Sequence, residues 1–217
     1  MTAPTTRFDE AYSAFLSGEK KNALDIWSAL AKEGDMTAAW ILGAVHLNGL
    51  ISDDGNADFK TAAVFFRQAA ERGHTSAQST LGHLLLFGYG VAKDEAEARS
   101  WFQLGAGQGD DEAQCGLAYI YDTGSGRAED FDASFTLYSQ AAEHGNPEAQ
   151  YRLGLAHLAG RGTPQNAVQG LFWLVKATEL GHATAREKRD ELLPYIDNDI
   201  AKRVVELTLE RSSSALH

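Results

Sequence analysis

The stretch Ala149–Gly162, with the sequence AQYRLGLAHLAGRG, decides the fold of this chain. Its Ala-Gln pair, its central Leu and its two closing glycines return 36 residues earlier in 113–126 and 72 residues earlier in 77–90. A fixed period of this length is the sequence signature of a repeat protein. The same period separates four further glycines, which are Gly73, Gly109, Gly145 and Gly181.

Each 36-residue repeat has room for two helices and two short connections. In Ser76–Phe87 the apolar residues Ala77, Leu81 and Leu85 follow the helical period, which predicts a first helix that ends at the following glycines. A second helix is predicted to begin at a recurring Asp or Asn, because these side chains accept hydrogen bonds from the free N–H groups of a first turn. These positions are Asp58, Asp94, Asp130 and Asn166.

Glycines inside the first helix predict a close approach between the two helices of a repeat. A helical Gly costs about 1 kcal/mol relative to Ala, so its recurrence in phase indicates a packing role at Gly43, Gly82 and Gly154. Large rings of the second helix are expected to face small side chains across this contact. These rings are Phe65, Trp101 and Trp173.

The segments together predict one all-α domain of roughly twelve helices arranged as antiparallel pairs. The first repeat carries three extra residues around Ser52–Gly55. The predicted segments are a capping helix pair at 7–34, four repeats at 35–73, 74–109, 110–145 and 146–181, C-terminal capping helices at 182–211, and a flexible tail at 212–217.

Composition and charge exclude several classes of protein. The chain is 44% hydrophobic with a net charge of −11, which argues against binding nucleic acid or anionic lipid through bulk electrostatics. No segment approaches the apolar run of about 18 residues that a membrane span needs, so we expect no membrane insertion. Cys115 is the only cysteine. An intrachain disulfide is therefore impossible, and a reducing cytoplasm is the expected location.

The repeated stretch closely resembles the Sel-like repeat family, a branch of the tetratricopeptide-like solenoids. The resemblance is carried by Ala149–Gly162 with the Trp173 helix and by the copy at 77–101, and it covers about residues 35–181. It implies a right-handed α/α superhelix of helix pairs. It also implies an adaptor or scaffold role in bacterial or eukaryotic signalling complexes. The departures from the family pattern are Ile51, Ala118 and Leu137.

In such stacks the first helices line the concave side, and their positions outside the helix-pairing stripe vary from repeat to repeat. These variable positions are rich in aromatic residues, which are candidate anchors for a peptide or protein partner. An alternative is that each ring only packs against a neighbouring repeat. The candidate groove residues are Trp40, Asn48, His83, Phe87, Tyr119 and Tyr151.

The middle of the chain is strongly acidic. Between Asp94 and Glu148 there are twelve acidic and two basic residues. This pattern is typical of a solvated surface, and it also suits an acidic face that binds a basic partner, as an inhibitor or immunity protein would. The candidate acidic residues lie at predicted helix starts and are Asp110, Asp111, Glu112, Glu129, Asp130 and Asp132.

Signals for catalysis, cofactors or metals are weaker. The sequence has no HExxH and no paired cysteines, and Gly105–Gly109 resembles a phosphate loop but ends a helix and lacks a following Lys-Ser/Thr. Cys115 has no basic neighbour in sequence, so we expect a small buried or groove-lining residue. We therefore expect no catalytic residue, metal or cofactor. The leading hypothesis is an interaction module, followed by the inhibitor and then by a hydrolase on this scaffold.

Overall fold

The computed structural model of the chain describes residues 6–52, 55–126 and 128–214, so Asp53 and Asp54 of the expected insertion lie outside it. The regular structure of the described residues is entirely helical, which confirms the all-α prediction. A 3₁₀ turn lies at Leu193–Tyr195. The helices are α1 (Arg7–Leu16), α2 (Lys20–Glu33), α3 (Met36–Leu47), α4 (Phe59–Glu71), α5 (Thr75–Phe87), α6 (Glu95–Gly107), α7 (Asp111–Thr123), α8 (Phe131–Glu143), α9 (Pro147–Ala159), α10 (Ala167–Glu179), α11 (Ala183–Leu192) and α12 (Asn198–Ser214).

Helix packing divides the chain into two compact units, Met1–Ala113 and Gln114–His217. In the first unit α1 packs against α2, α3 against α4 and α5 against α6, while α2 contacts α3 and α4 contacts α5. In the second unit α9 contacts α8 and α10, and α10 also contacts α11 and α12. Helices that touch across a short connection run antiparallel. Each unit is therefore built from antiparallel helix pairs.

The second helices begin where the sequence predicts. Asp94 Oδ1 accepts a 2.8 Å hydrogen bond from a backbone N–H in the first turn of α6, and the equivalent residues cap the other second helices in the same way. The capping residues are Asp58, Asp94, Asp130 and Asn166.

The close approach of paired helices is confirmed, but the ring involved is one residue later than expected. A Cβ atom at Gly82 would lie 2.6 Å from the Phe102 ring, and one at Gly43 would lie 2.8 Å from the Phe66 ring. Adjacent residues project about 100° apart around a helix. Trp101 is therefore turned away from the glycine and is only half-buried. The expected positions Phe65, Trp101 and Trp173 are thus corrected to the residue that follows each of them.

The later repeats make this contact with different residues. Tyr138, which follows Phe66 and Phe102 by 72 and 36 residues, shares a core cluster with Ala118 in the second unit. A Cβ atom at Gly154 would lie 3.1 Å from Leu174. Leu174 occupies the ring position of the fourth repeat. Each repeat thus keeps a small residue against a large one.

In two repeats the recurring Gln joins a first helix to the second helix before it. Gln78 Nε2 donates to the carbonyl oxygen of Ala70 at 3.3 Å, and Gln150 Nε2 donates to that of Ala142 at 3.1 Å. Carbonyl groups at a helix end lack partners within their own helix. The Gln side chain therefore bonds a buried carbonyl group at a helix end and links consecutive helices.

Helix α12 covers part of α10 in the second unit. The guanidinium of Arg211 lies 5.1 Å from the ring centres of both Phe172 and Trp173, and it pairs with Glu143 at 2.8 Å. The helix ends at Ser214, inside the segment 212–217 that was expected as a tail, and residues 215–217 lie outside the described part. Among the described residues, no helix is both long and apolar enough to cross a lipid bilayer.

Candidate functional site

Trp40, the first of the candidate groove residues, is paired with a histidine. Its half-buried ring stacks on His74 at 5.2 Å with an interplanar angle of 12°. His74 Nδ1 in turn accepts a 3.3 Å hydrogen bond from the Ala77 N–H and so caps α5. Burial lowers the pKa of His74 below its usual value, which favours the neutral ring that this cap requires. Trp40 therefore makes a structural contact with His74, and its side chain remains partly exposed.

Three rings with large exposed fractions lie together in the first unit, and we call Phe59, Phe87 and Tyr89 the aromatic surface. Their exposed fractions are 38%, 48% and 51%. Tyr89 joins the other two, with ring centres 5.9 Å from Phe87 and 5.5 Å from Phe59. His83 lies parallel to Phe87 at 6.3 Å and contacts the buried Phe102 at its edge. Phe87 and His83 are thus brought together, as the sequence predicts.

Asn48 contacts the end of its own helix. It is the exposed residue that ends α3, and its Nδ2 donates to the carbonyl oxygen of Ala44 at 2.8 Å. Its side chain therefore satisfies the end of its own helix.

In the second unit Tyr119 and Tyr151 are brought together by Arg152. The guanidinium lies 5.4 Å from the Tyr119 ring centre and 5.6 Å from that of Tyr151, within cation–π range. Tyr151 also stacks on His182 at 4.8 Å. His182 Nδ1 accepts from a backbone N–H in the first turn of α11 at 3.1 Å, so this pair repeats the arrangement of the Trp40 pair.

Charged groups surround the pair in the second unit. Glu148 contacts Arg152 Nε at 2.6 Å through one carboxylate oxygen and His182 Nε2 at 2.8 Å through the other. Burial acts to raise the pKa of Glu148, but the bonds from His182 and Arg152 outweigh it and hold this pKa below its usual value. The carboxylate is therefore ionised at neutral pH and fixes both partners.

The acidic residues fall into two groups, one at the start of α7 and one at the start of α8. Asp110 and Asp130 are used as caps, because each accepts a hydrogen bond from a backbone N–H three residues later. Among the other acidic candidates, Glu112, Glu129 and Asp132 are exposed. The capping pair therefore has a structural role, whereas Glu112, Glu129 and Asp132 are exposed.

Cys115, the one residue weighed for reactivity, lies in the core. Cys115 is 6% exposed and lies in a hydrophobic cluster with Tyr138 and Phe172. Across residues 6–52, 55–126 and 128–214, no group of three or more His, Cys, Asp or Glu is placed to hold a metal ion. Burial of the Cys115 thiol separates it from any substrate at the surface.

Several residues of these surfaces were missed from the sequence. Tyr89 and Phe59 both project from positions next to predicted helix boundaries, and Arg152 looks like an ordinary solvated charge. A comparison of repeat-equivalent positions would have found them, since Tyr89 corresponds to Ser125 and Arg161 in the later repeats. A position whose residue type changes from repeat to repeat is therefore the signal that indicates a surface residue of this kind. The missed residues are Phe59, His74, Tyr89, Glu148, Arg152 and His182.

A profile of the Sel1 repeat family matches four consecutive segments, at 37–74, 75–110, 111–146 and 147–182. They begin one or two residues after the repeat starts expected from the sequence, and together they make up more than half of the chain. A comparison with curated proteins gave no match.

Solved structures with the same fold extend this result. A protective antigen of uropathogenic Escherichia coli with an SLR fold is 30% identical, with 78% of this chain and 36% of that chain covered and a TM-score of 0.68. The present chain thus spans about a third of that relative's length. A Sel1 repeat protein of Oxalobacter formigenes is 24% identical, with 94% and 87% covered and a TM-score of 0.79. An immunity protein of Pseudomonas aeruginosa is 16% identical, with 82% and 66% covered and a TM-score of 0.50.

The profile matches and the structural neighbours lead to the same assignment. Four family repeats, helices alone in the described residues, and neighbours with SLR folds confirm the resemblance and the α-solenoid fold class drawn from the sequence. The chain belongs to the Sel1 repeat family, whose members are generally non-enzymatic scaffolds for protein interactions.

Proposed function

We propose that this chain is a non-enzymatic adaptor that binds a peptide or protein partner on the faces presented by the first helices of its repeats. One observation carries the proposal, which is the aromatic surface of the first unit, where Phe87 is the last residue of the first helix α5 and Tyr89 follows it. Phe87 and Tyr89 are each about half exposed and lie against one another. Rings that are clustered and accessible supply large contact areas at low conformational cost, which is typical of interface anchors.

The test compares two double variants for capture of partners from the native lysate. Phe87→Ser with Tyr89→Ser removes the two most exposed rings of the aromatic surface. Val64→Ser with Leu104→Ser removes two apolar side chains that are equally exposed, at 62% and 52%, on second helices of the same unit. We expect the first variant to lose the captured partner about tenfold or more, while the second retains it.

Thermal unfolding by circular dichroism serves as the folding control for both variants. Because each of the four side chains is about half exposed or more, we expect each double variant to unfold within about 1 kcal/mol of the parent protein. Equal capture by the parent and by both variants would contradict a role for the aromatic surface.

The exposed carboxylates support a second candidate function, an inhibitor or immunity protein that binds a basic toxin or enzyme. Glu112 and Asp132 remain exposed after the capping aspartates are used. The immunity protein of Pseudomonas aeruginosa shares this fold, which motivates the comparison. In this case the affinity for a captured partner would fall steeply between about 50 and 300 mM salt and would be reduced by Glu112→Gln and Asp132→Asn. A flat salt response excludes this candidate.

A further inference from the structure

Helix α12 shows how the second helices of this fold hold an amphipathic helix. It packs on α10, whereas α4, α6 and α10 each pair with the first helix of their own repeat. Its inward side carries two apolar residues and an arginine at positions i, i+3 and i+7, which are Val204, Leu207 and Arg211. Arg211 lies 5.1 Å from the Trp173 ring centre on α10 and pairs with Glu143 at the end of α8. A carboxylate and an indole on two second helices therefore receive the arginine of the bound helix.

The same carboxylate and indole recur in the first unit, on α4 and α6. Glu71 and Trp101 precede Glu143 and Trp173 by 72 residues, which is two repeats. Trp173 is 5% exposed beneath α12, whereas Trp101 is half-buried and Glu71 is exposed. Leu104, one turn after Trp101 on the same side of α6, is 52% exposed. The first unit thus has the residues that receive Arg211 in the second unit, and they are accessible.

Packing of the repeat does not require this combination of residues. The equivalent positions on the other second helices carry Lys32 with Phe65 and Gly107 with Leu137, once the three-residue insertion of the first repeat is allowed for. Among these four pairs of positions, a carboxylate and an indole occur together twice. In one of the two places they hold a helix, so their recurrence in the other indicates a second place for a helix of the same kind.

The charges of α4 and α6 leave a carboxylate for an incoming cation. Arg67 pairs with Glu97, which also accepts a 3.1 Å hydrogen bond from the Trp101 indole N–H. Arg72 donates to a main-chain carbonyl oxygen of α4. Glu71 forms no ion pair with any residue that the structure describes. The indole is thus fixed through its N–H with its ring face available, beside a carboxylate that can accept a charge-assisted hydrogen bond.

We infer that α4 and α6 form a second docking face, which binds an amphipathic helix of a partner protein with apolar residues at i and i+3 and an arginine at i+7. The guanidinium of that helix lies on the Trp101 ring and pairs with Glu71, as Arg211 does with Trp173 and Glu143. Its apolar residues cover the exposed side chain of Leu104. This face is separate from the aromatic surface, so it goes beyond the proposed function and gives the adaptor a second partner.

The test adds a synthetic peptide with the sequence of residues 198–214, acetylated and amidated, to the full-length ¹⁵N-labelled protein. Because the protein's own α12 occupies the site on α10, we expect the peptide to shift the Trp101 indole N–H and the amides of α4 and α6. The expected Kd is roughly 1 mM or below, since a short peptide must also order into a helix. The Arg211→Gln peptide should bind about tenfold more weakly. The Arg203→Gln peptide loses the same charge from an exposed position and should bind within about twofold of the parent peptide.

Two protein variants and one control connect binding to the docking face. We expect Glu71→Gln and Leu104→Ser each to weaken binding of the parent peptide about fivefold, because they remove the ion pair and the apolar contact. Glu10→Gln removes an exposed carboxylate from α1 of the same unit and should leave binding within about twofold. Circular dichroism on heating checks that all three proteins fold.

Shifts confined to α8 and α10, equal binding of the Arg211→Gln and Arg203→Gln peptides, or unchanged binding in both Glu71→Gln and Leu104→Ser would overturn the docking face. Dimerisation of the parent protein that is lost in Glu71→Gln would assign the face to α12 of a second copy and overturn a separate partner. The capture experiment fails independently. Val64→Ser with Leu104→Ser should lose the peptide and keep the partner of the aromatic surface, and Phe87→Ser with Tyr89→Ser should do the opposite.

Discussion

The glycine loops at 88–90 and 160–162 occupy equivalent positions of two repeats, one in each unit, and they differ in the residue between the glycines. The backbones agree, with φ values of +74° and +69° in the first loop and +71° and +66° in the second. Tyr89 lies 5.5 Å from the Phe59 ring, and Arg161 lies 5.2 Å from the equivalent ring of Phe131. The same stacking position thus holds an aromatic residue in one unit and a cation in the other.

The aromatic–histidine pairs of the two units also agree in geometry and differ in the residue beside them. Trp40 stacks on His74 and Tyr151 stacks on His182, each over the cap of a following helix. Arg152 adds a cation beside the second pair, where the first unit has Ile41 at the equivalent position. The repeat therefore fixes backbone and stacking geometry, while the variable positions place an aromatic residue at a site in one unit and an arginine, paired with a carboxylate, at the equivalent site in the other.

The prediction with the largest effect tests whether the two glycine loops depend on the same backbone conformation. Gly90 and Gly162 have positive φ, and a Cβ atom at either would overlap the backbone of Phe59 or Phe131. Left-handed backbone costs a residue with a side chain about 1–2 kcal/mol, and the overlap adds a similar amount. We expect Gly90→Ala and Gly162→Ala each to lower the free energy of unfolding by about 3 kcal/mol, measured by urea denaturation.

Gly73→Ala separates the two causes of this loss. Gly73 also has positive φ, at +91°, but a Cβ atom there meets nothing within 4 Å. We expect its substitution to cost only the conformational part, about 1–2 kcal/mol. Losses at Gly90 and Gly162 that differ from one another, or that do not exceed the loss at Gly73, would break the equivalence of the loops.

Most of the fold could be predicted because its determinants are local and periodic. Caps such as Asp94 and helix-ending glycines act within a few residues, so the sequence pattern reveals them directly. The sequence pattern predicts Trp101 as the ring that meets Gly82, whereas Phe102 takes that place, because a 36-residue period fixes the spacing of helices and leaves their rotation open. A shift of one residue turns a side chain by about 100° and decides which ring is buried.

The surfaces were harder to predict because their contacts join residues far apart in sequence. Glu148 meets His182 across 34 residues, and Tyr89 meets Phe59 across 30. The repeat pattern predicts that such positions are neighbours, but it does not specify the chemistry of a pair. The histidine caps were missed for a related reason, since Nδ1 of a neutral His accepts a bond that Asp or Asn usually accepts.

A smaller effect tests the role of the cation in the second unit. Arg152 contacts two tyrosine rings and pairs with Glu148 at a half-buried position. We expect Arg152→Gln to lower the free energy of unfolding by about 1–2 kcal/mol, since one charge-assisted bond and the cation–π contacts are lost. Arg186→Gln, at an exposed position in the same unit, is the matched control. Equal losses for the two variants would show that Arg152 is a solvated charge without a packing role.

The smallest effect is the pH dependence of the pair in the first unit. Burial holds the pKa of His74 in the folded protein below 6.5, so the unfolded chain binds a proton at a higher pH than the folded one does. His74 therefore contributes to the loss of stability as pH falls below about 6.5, where protonation removes the acceptor that caps α5.

His74→Asn keeps an acceptor that does not titrate in this range. We expect this variant to lose less in Tm than the parent between about pH 7.5 and 5.0, and His144→Asn, at an exposed position, is the matched control. His46 and His157 also have lowered pKa values and remain in every variant, so their contribution cancels in the comparison. Parallel Tm profiles for the parent and His74→Asn would show that the cap and the Trp40 stack do not depend on the charge of His74.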